Sequence, residues 1–273
     1  MRIKNTANNA LDRFCRFFVA SFSFGIFGII CGCGNLIFIP LILLRLHRYK
    51  KVQYFSRDLV RYAWRLFLWI LCFSKRLQYR FAISSQLQSS KKLNKTESSK
   101  TKTLDNVGNP SEIIIANHPS LLDVVLLIAH IPRINCVIKA SLAKNLFLFG
   151  AIKASGYILN TANEELLHQS IDALKMGDSL LIFPEGTRTK DKIILHKAAS
   201  YIAIHSAKHL SAIFIKMSPK SLQKDSKWYN TTTQTLRYEL SLEAQITLDE
   251  FEKDRVDSMR VRYLHETLSN LYH

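Results

Sequence analysis

A histidine and an aspartate stand five residues apart in the string NHPSLLD, residues 117–123. Within one continuous helix this spacing would place the two side chains about 140° apart and out of contact. Pro119 favours a helix that begins at its own position, which would leave His118 at the cap and let Asp123 reach back from the second turn. A carboxylate that fixes the imidazole tautomer and stabilises the imidazolium makes histidine a general base. The other interpretation is a capping histidine beside a solvent-facing aspartate.

A second string, FPEGTR at residues 183–188, collects groups suited to anion binding. Glu185 and Arg188 supply a carboxylate and a guanidinium, and Gly186 with Thr187 favours a tight turn with exposed backbone N–H groups. The string therefore predicts an anion-binding turn, and the alternative is an ordinary surface turn.

Both strings follow β-rich runs, in a region where predicted strands and helices alternate. The predicted strands cover residues 113–116, 136–138, 157–159, 179–183 and 212–215, and the predicted helices begin near residue 121 and cover about 142–153, 164–175 and 197–207. A strand at 238–248 and a helix at 256–272 close the chain. The alternation predicts an α/β fold with a mostly parallel sheet flanked by helices. Such folds place their active sites at the carboxyl ends of the strands, where both strings are expected.

The N-terminal part of the chain is apolar and basic. Residues 17–44 form 28 consecutive positions without a charge, more than the roughly 20 that a helix needs to cross a bilayer. Basic residues flank this run on both sides, and glycine, asparagine and proline interrupt its second half, so a hairpin that returns to the same leaflet is an alternative to a span. A cleavable signal peptide fits less well, because the run is too long and no small-residue cleavage pattern follows it.

Residues 52–73 predict an amphipathic helix, with Arg57, Arg61 and Arg65 on one stripe. A basic stripe beside an apolar face is typical of an interfacial helix, and the alternative is a helix packed on the domain with its arginines at a solvated edge. The Ser-, Lys-, Thr- and Gln-rich sequence that follows predicts a flexible loop at 84–107. The chain thus divides into N-terminal membrane-anchoring helices (1–73) and an α/β domain (74–273).

The basic charge lies beside the hydrophobic sequence. Of the formal net charge of +17, residues 1–80 contribute +12, with 14 Lys and Arg against two Asp. Anionic lipid headgroups attract such a segment by roughly 1 kcal/mol per basic residue, so membrane lipids are the expected partner and nucleic acid is not. The five cysteines have no metal-ligand spacing with a nearby histidine, so we expect a reducing compartment, no metal and no cofactor.

The HPSLLD and FPEGTR strings, about 60 residues apart in this order, resemble the two signature motifs of the glycerolipid acyltransferases, typified by 1-acylglycerol-3-phosphate acyltransferase. The likeness covers roughly residues 75–250. It implies transfer of a fatty acyl group from acyl-CoA or acyl-carrier protein to the hydroxyl of a lysophospholipid, in phospholipid biosynthesis at the cytoplasmic face of a bacterial inner membrane. By the resemblance, His118 is the general base, Asp123 orients it, and the turn from Glu185 to Arg188 binds the acceptor, with Arg188 on its phosphate.

Three further residues are expected to bind substrate. Lys139 stands where the family often has a substrate-binding lysine, and Lys197 offers another cation for phosphate. Asn160 lies in the string GYILNT, where the family has a glycine, two or three apolar residues and then an acidic-basic pair, so an arginine expected near the acceptor phosphate is missing. The string IFI at 213–215 replaces a proline flanked by valines. These two departures look like a divergent bacterial subgroup and leave the acceptor open.

Two other side chains could serve as nucleophiles. Ser120 lacks the Gly-x-Ser-x-Gly elbow of hydrolases, and Cys136 has no base beside it in sequence, so we expect direct attack by the acceptor hydroxyl. The alternatives to a lysophospholipid acyltransferase are transfer to a different lipid acceptor, hydrolysis of lipid thioesters, and a catalytically inactive, membrane-tethered binding protein.

Overall fold

A seven-stranded sheet forms the centre of the protein. The computed structural model describes residues 2–84, 87, 104, 107–161, 164–189, 192–222, 232 and 234–272. Within these residues the strands are β1 (Leu77–Ile83), β2 (Glu112–Ala116), β3 (Asn135–Lys139), β4 (Ile158–Asn160), β5 (Leu180–Ile182), β6 (His209–Ser218) and β7 (Leu236–Thr247). Their order is β1-β7-β6-β2-β5-β3-β4, and all pairings between these strands are parallel except that of β6 with β7. The predicted α/β fold with a mostly parallel sheet is confirmed.

Helices cover both faces of the sheet. The described helices are α1 (Arg2–Leu43), α2 (Lys50–Phe73), α3 (Leu122–His130), α4 (Phe149–Ser155), α5 (Glu164–Lys175), α6 (Ala198–Ser206) and α7 (Asp257–Tyr272). Helices α1 to α4 contribute apolar side chains to the core on one face, and α5 to α7 to the core on the other.

Strand β2 shows why the sheet has two cores. Ile113 and Ile115 point into the core under α5 to α7, and Ile114 and Ala116 point into the core under α1 to α4. Successive side chains of a strand face opposite sides, so a strand covered on both faces is apolar throughout. All four side chains are completely buried.

One edge of the sheet contains the carboxyl ends of the strands that precede the two motifs. Strands β2 to β6 run in one direction and end at this edge, which we call the carboxyl edge. Strand β7 is antiparallel to β6 and β1 is parallel to β7, so both of these strands begin there.

The structure corrects some of the predicted elements. Strand β1 was not predicted, although its sequence LQYRFAI supplies a seventh strand. The single helix expected at 142–153 is instead a 3-10 turn (Ala140–Lys144) followed by α4. The predicted flexible loop, 84–107, lies mostly outside the described residues, but Leu104 and Val107 at its end are buried in the core.

Helix α1 is continuous through the apolar run. The hairpin alternative is therefore wrong, because the backbone is helical from Arg2 to Leu43. A glycine inside a helix costs only about 1 kcal/mol, whereas unpaired backbone groups in lipid cost several. By length and composition the Ser21–Leu43 part could cross a membrane. The side-chain amide of Asn35 donates to the Leu146 carbonyl (2.9 Å), which joins this helix to the α/β domain.

Helix α2 packs on the domain, as one of the two interpretations predicts, but its arginines contact the domain instead of only lining a solvated edge. Arg57 is buried, with Nε donating to the Ser155 carbonyl (2.9 Å) and Nη2 to Asp178 (3.2 Å). Arg65 Nε donates to the Ala129 carbonyl (2.8 Å). Ser155 and Ala129 lie in the last turns of α4 and α3, where carbonyls lack helical partners, so the arginines satisfy them.

Candidate active site

Asn117 fixes the chain where it leaves β2. Its side-chain amide donates to the Ile215 carbonyl (3.0 Å), and its side-chain oxygen accepts from the Ile215 N–H (2.7 Å). The side chain thus continues the β2 to β6 pairing by one step beyond Ala116 and Ile213. The next residue, His118, is thereby held at the carboxyl edge. No role was predicted for Asn117, whose only signal in the sequence is a polar side chain directly after an apolar strand.

His118 and Asp123 contact each other as predicted. His118 Nδ1 lies 3.1 Å from Asp123 Oδ2, which also accepts the Ser120 N–H at 2.6 Å. The Asp123 side chain is fully buried, whereas that of His118 is 16% exposed. A carboxylate partner at Nδ1 places the ring proton there and leaves Nε2 as the basic nitrogen.

The helix that carries Asp123 starts close to residue 121, as predicted from the strand and helix alternation, and later than the start that Pro119 favours. Helix α3 begins at Leu122, so His118 lies in the preceding loop and Asp123 reaches it from the first turn. The Ser120 hydroxyl accepts the Leu122 N–H (3.1 Å) and takes over the capping that was expected near Pro119. A short polar side chain that satisfies a free N–H explains the later start.

The environment of Asp123 makes its charge costly. Burial raises the pKa of the Asp123 carboxyl, against the opposing effects of His118, the Ser120 N–H and the Arg188 charge. A carboxylate kept ionised at a buried position gains from a neighbouring imidazolium. The pair is thus suited to stabilising a proton on His118 when a reaction delivers one.

The second string folds back onto the first. Glu185 Oε1 accepts the His118 N–H and the Thr189 hydroxyl, both at 2.8 Å, and the Thr189 N–H donates to the His118 carbonyl at 2.7 Å. Glu185 is buried, and burial raises the pKa of its carboxyl against the effect of these donors. The Glu185 side chain therefore holds the His118 main chain, a contact that the sequence did not predict, because Glu185 was expected to bind the acceptor.

The remainder of the turn lies on the surface near the pair. Gly186 has φ +66°, a left-handed conformation that glycine adopts without strain. Thr187 is exposed. Arg188 is half-buried, donates from Nη1 to the Leu222 carbonyl (2.8 Å), and is close enough for its charge to lower the pKa of Asp123. The structure thus places this turn directly beside His118.

The three remaining predicted residues lie at different distances from the pair. Lys139 and Asn160 are the last residues of β3 and β4 and are register partners at the carboxyl edge. Strand β5 separates them from β2, which precedes His118. Lys197 is exposed immediately before α6, and its charge acts on His265 of α7. Among the contacts of the described residues, none joins Lys197 to His118.

Neither rival nucleophile is available. Ser120 is fully buried, and its hydroxyl shares a hydrogen bond with the Tyr238 hydroxyl. Burial raises the pKa of the Cys136 thiol to about 12, so the thiolate is scarce at neutral pH. Both observations favour direct attack by an acceptor.

Two aromatic residues near the pair had no predicted role, although Phe183 is the first residue of the second string. The Phe183 ring lies 4.5 Å from the His118 ring, centroid to centroid. Tyr238 reaches Ser120 from β7, and burial raises the pKa of its hydroxyl, which stays neutral. Within the described part of the chain, no group of three His, Cys, Asp or Glu side chains could hold a metal ion.

Comparisons with known proteins find similarity to acyltransferases. Residues 92–216 match the Acyltransferase family model. The fold is similar to that of the 1-acyl-sn-glycerophosphate acyltransferase of Thermotoga maritima, with a TM-score of 0.56 and 19% identity over 97% of this chain and 95% of that one. No curated protein matches significantly. The chain is thus similar to acyltransferases in sequence over somewhat less than half of its length, and similar in fold over nearly all of it.

Proposed function

We propose that the protein transfers a fatty acyl group from a thioester, acyl-CoA or acyl-carrier protein, to the hydroxyl of a lysophospholipid such as 1-acylglycerol-3-phosphate. The observation that carries this proposal is the hydrogen bond of His118 Nδ1 to the buried Asp123, which leaves Nε2 as a base at the carboxyl edge. The family match supports acyl transfer in general. The particular donor and acceptor belong to the proposal.

In the proposed reaction His118 acts first as a base and then as an acid. Nε2 takes the proton of the acceptor hydroxyl as its oxygen attacks the thioester carbonyl carbon. The carbonyl becomes an oxyanion, which main-chain N–H groups of the turn or a water molecule stabilise. When the intermediate collapses, the carbon to sulfur bond breaks and the thiolate takes the proton from imidazolium. Asp123 stabilises the imidazolium between the two steps, and the histidine ends neutral as it began.

In this proposal Arg188, beside His118, contacts the phosphate of the acceptor. Lys139 and Asn160 lie farther along the carboxyl edge, at the ends of β3 and β4. The neutral pair Asn160-Thr161 lacks the arginine that the family has near the acceptor phosphate, so we expect weaker phosphate binding here. This departure favours, as a second candidate, an acceptor lipid without a glycerol phosphate.

Release of thiol from acyl-CoA tests the function. Release that requires 1-acylglycerol-3-phosphate supports the transferase, release without any acceptor indicates a hydrolase, and no release with any acceptor indicates an inactive binding protein. A panel of lysophospholipids and other hydroxylated lipids identifies the acceptor. Release that depends only on a lipid without phosphate would replace the glycerophosphate acceptor with the second candidate.

We also propose that the first 73 residues anchor the protein to the membrane, on the cytoplasmic face. Exposed apolar side chains follow one stripe of α2, at Phe55, Tyr62, Leu66, Trp69 and Phe73, outside its inward arginines. Another stripe follows α1 at seven-residue intervals, at Phe22, Ile29, Leu36 and Leu43. Exposed apolar stripes of this size are typical of membrane contact. Quantitative recovery of the full-length protein in the soluble fraction would contradict the proposal.

A further inference from the structure

Ser120 connects Asp123 to the start of helix α3. Its N–H donates to Asp123 Oδ2 (2.6 Å), and its hydroxyl accepts the Leu122 N–H (3.1 Å). These contacts resemble a capping box, in which a residue before the helix and an acidic side chain in its first turn each satisfy a free N–H. The carboxylate of this box is also the partner of His118, so the conformation of Ser120 affects the orientation of the base.

Asp123 is held through one of its two carboxylate oxygens. Oδ2 accepts the Ser120 N–H and contacts His118 Nδ1, whereas Oδ1 is buried and has no hydrogen-bond partner among the residues that the structure describes. A shift of Ser120 would therefore move the same oxygen that orients the imidazole.

Tyr238 of β7 fixes the Ser120 hydroxyl. The two hydroxyls share a hydrogen bond of 2.5 Å in which either can donate, and Ser120 is fully buried while Tyr238 is 2% exposed. Burial raises the pKa of the Tyr238 hydroxyl, with a smaller contribution from the nearby Asp123 charge, so the hydroxyl keeps its proton. A buried hydroxyl that loses its partner is destabilising, so Tyr238 and Ser120 hold each other in one arrangement.

We propose that Tyr238 is a positioning residue of the His118–Asp123 pair and acts through Ser120. In the proposed function, on which this inference rests, His118 is the base. The Tyr238 hydroxyl orients the Ser120 side chain, Ser120 places Asp123 Oδ2, and Asp123 holds the imidazole. Tyr238 itself touches neither the substrates nor the reacting atoms.

Tyr79 offers a matched control on the neighbouring strand. It is the register partner of Tyr238 in the pairing of β1 with β7, and both side chains lie on the sheet face that α1 to α4 cover. The Tyr79 hydroxyl contacts Nε2 of His130, the last residue of α3, at 3.2 Å. The two tyrosines thus hold opposite ends of α3, and only the Tyr238 contact lies beside the pair.

Removal of each hydroxyl tests the proposal. Tyr238→Phe keeps the ring, and we expect its kcat to fall about tenfold, which is less than the roughly 10²-fold cost of displacing a catalytic group by about 1 Å. The KM values of donor and acceptor should stay at the wild-type values, because Tyr238 binds neither substrate. Tyr79→Phe should keep the wild-type kcat. Melting temperatures measured on the same preparations show whether each variant is folded.

A double-mutant cycle separates action through Ser120 from a general effect on the fold. Ser120→Ala removes the other hydroxyl, and its kcat should fall at least as far as that of Tyr238→Phe. The double variant should have the kcat of Ser120→Ala, because no Ser120 hydroxyl is left to orient. It should also melt at a higher temperature than Ser120→Ala, since phenylalanine leaves no buried hydroxyl unpaired.

A measurement without turnover separates this inference from the proposed function. In NMR spectra of protein with isotope-labelled histidine in detergent micelles, the His118 Nδ1–H signal is identified by its absence in His118→Ala. Its exchange with water reports the hydrogen bond to Asp123 and should be about tenfold faster in Tyr238→Phe and unchanged in Tyr79→Phe. If this pattern is found but no acceptor supports transfer, the proposed function fails and the positioning role stands.

Several results would overturn the inference. They are a wild-type kcat or a wild-type exchange rate in Tyr238→Phe, an equal loss in Tyr79→Phe, and losses that multiply in the double variant. A rise in either KM with an unchanged kcat would also contradict it, because Tyr238 would then bind a substrate instead of positioning the pair.

Discussion

Glu185 and His118, 67 residues apart in the chain, are joined by a hydrogen bond of 2.8 Å from the His118 N–H to the Glu185 carboxylate. This contact makes Glu185 a residue that positions the base. Glu185→Gln retains a side-chain oxygen for the same donors, so we expect kcat and the acceptor KM to stay near wild type. Glu185→Ala removes the contact, and a base displaced by about 1 Å can cost roughly 10²-fold in kcat. If Glu185 instead bound the acceptor through its charge, Glu185→Gln would raise the acceptor KM, and steady-state kinetics of both variants decide the question.

His118→Ala should lower kcat by roughly 10² to 10⁴, which is the usual contribution of general-base catalysis. Donor binding and the melting temperature should change little, because the His118 side chain lies at the rim of the site. Measuring kcat, donor binding and melting temperature on one preparation distinguishes a lost base from a lost fold. Near-wild-type turnover by this variant would falsify the assignment of His118.

Asp123→Asn should lose activity and gain thermal stability at neutral pH. The folded state raises the pKa of Asp123, so ionisation at that buried position costs stability above the folded pKa, and the cost disappears as pH falls below the unfolded pKa. The asparagine side chain carries no charge, so the melting temperature of the Asp123→Asn variant should exceed that of the wild type near pH 7. The difference should shrink on acidification. Asparagine also fails to stabilise imidazolium, so kcat falls. A melting temperature of the variant below that of the wild type at neutral pH would contradict the claim that ionised Asp123 destabilises the folded protein.

Arg188→Ala should raise the KM for a phosphorylated acceptor about tenfold or more, since a lost charge-assisted contact costs roughly 1.5 to 3 kcal/mol. The donor KM should stay unchanged. Thr187→Ala, at the exposed neighbouring position, serves as the control for damage to the turn. An unchanged acceptor KM in Arg188→Ala would show that Arg188 does not bind the acceptor phosphate.

Asp178→Asn should destabilise the protein without a specific effect on KM. Burial alone would raise the pKa of Asp178, but the charges of Arg57 and Lys50 outweigh it and keep that pKa low. The resulting stability is present above the unfolded pKa of about 3.9 and is lost as pH falls through the lower folded pKa. Removing one partner of a buried ion pair costs roughly 3 to 5 kcal/mol, or at least about 6 °C in melting temperature for a chain of this size. Asp58→Asn, which breaks the exposed pair with Arg133 (2.9 Å), is the control and should have a small effect.

The sequence by itself determined those features that depend on short separations along the chain. His118 and Asp123 meet because five residues with a loop before the helix bring them together, whatever the rest of the fold does. The alternation of strands and helices determined the parallel sheet and placed both motifs at its carboxyl edge. The composition of residues 17–44 determined a long apolar helix, although not whether it folds back.

Only the tertiary structure decided which distant residues complete the site. The contact of Glu185 with His118 requires β5 to lie beside β2, and the contact of Tyr238 with Ser120 requires β7 to follow β6 in the sheet. Strand order depends on backbone pairing and on the packing of the two faces of the sheet, and a local sequence pattern predicts neither. The contacts of the α2 arginines have the same origin, because the carbonyls that Arg57 and Arg65 satisfy belong to helices that are distant in sequence.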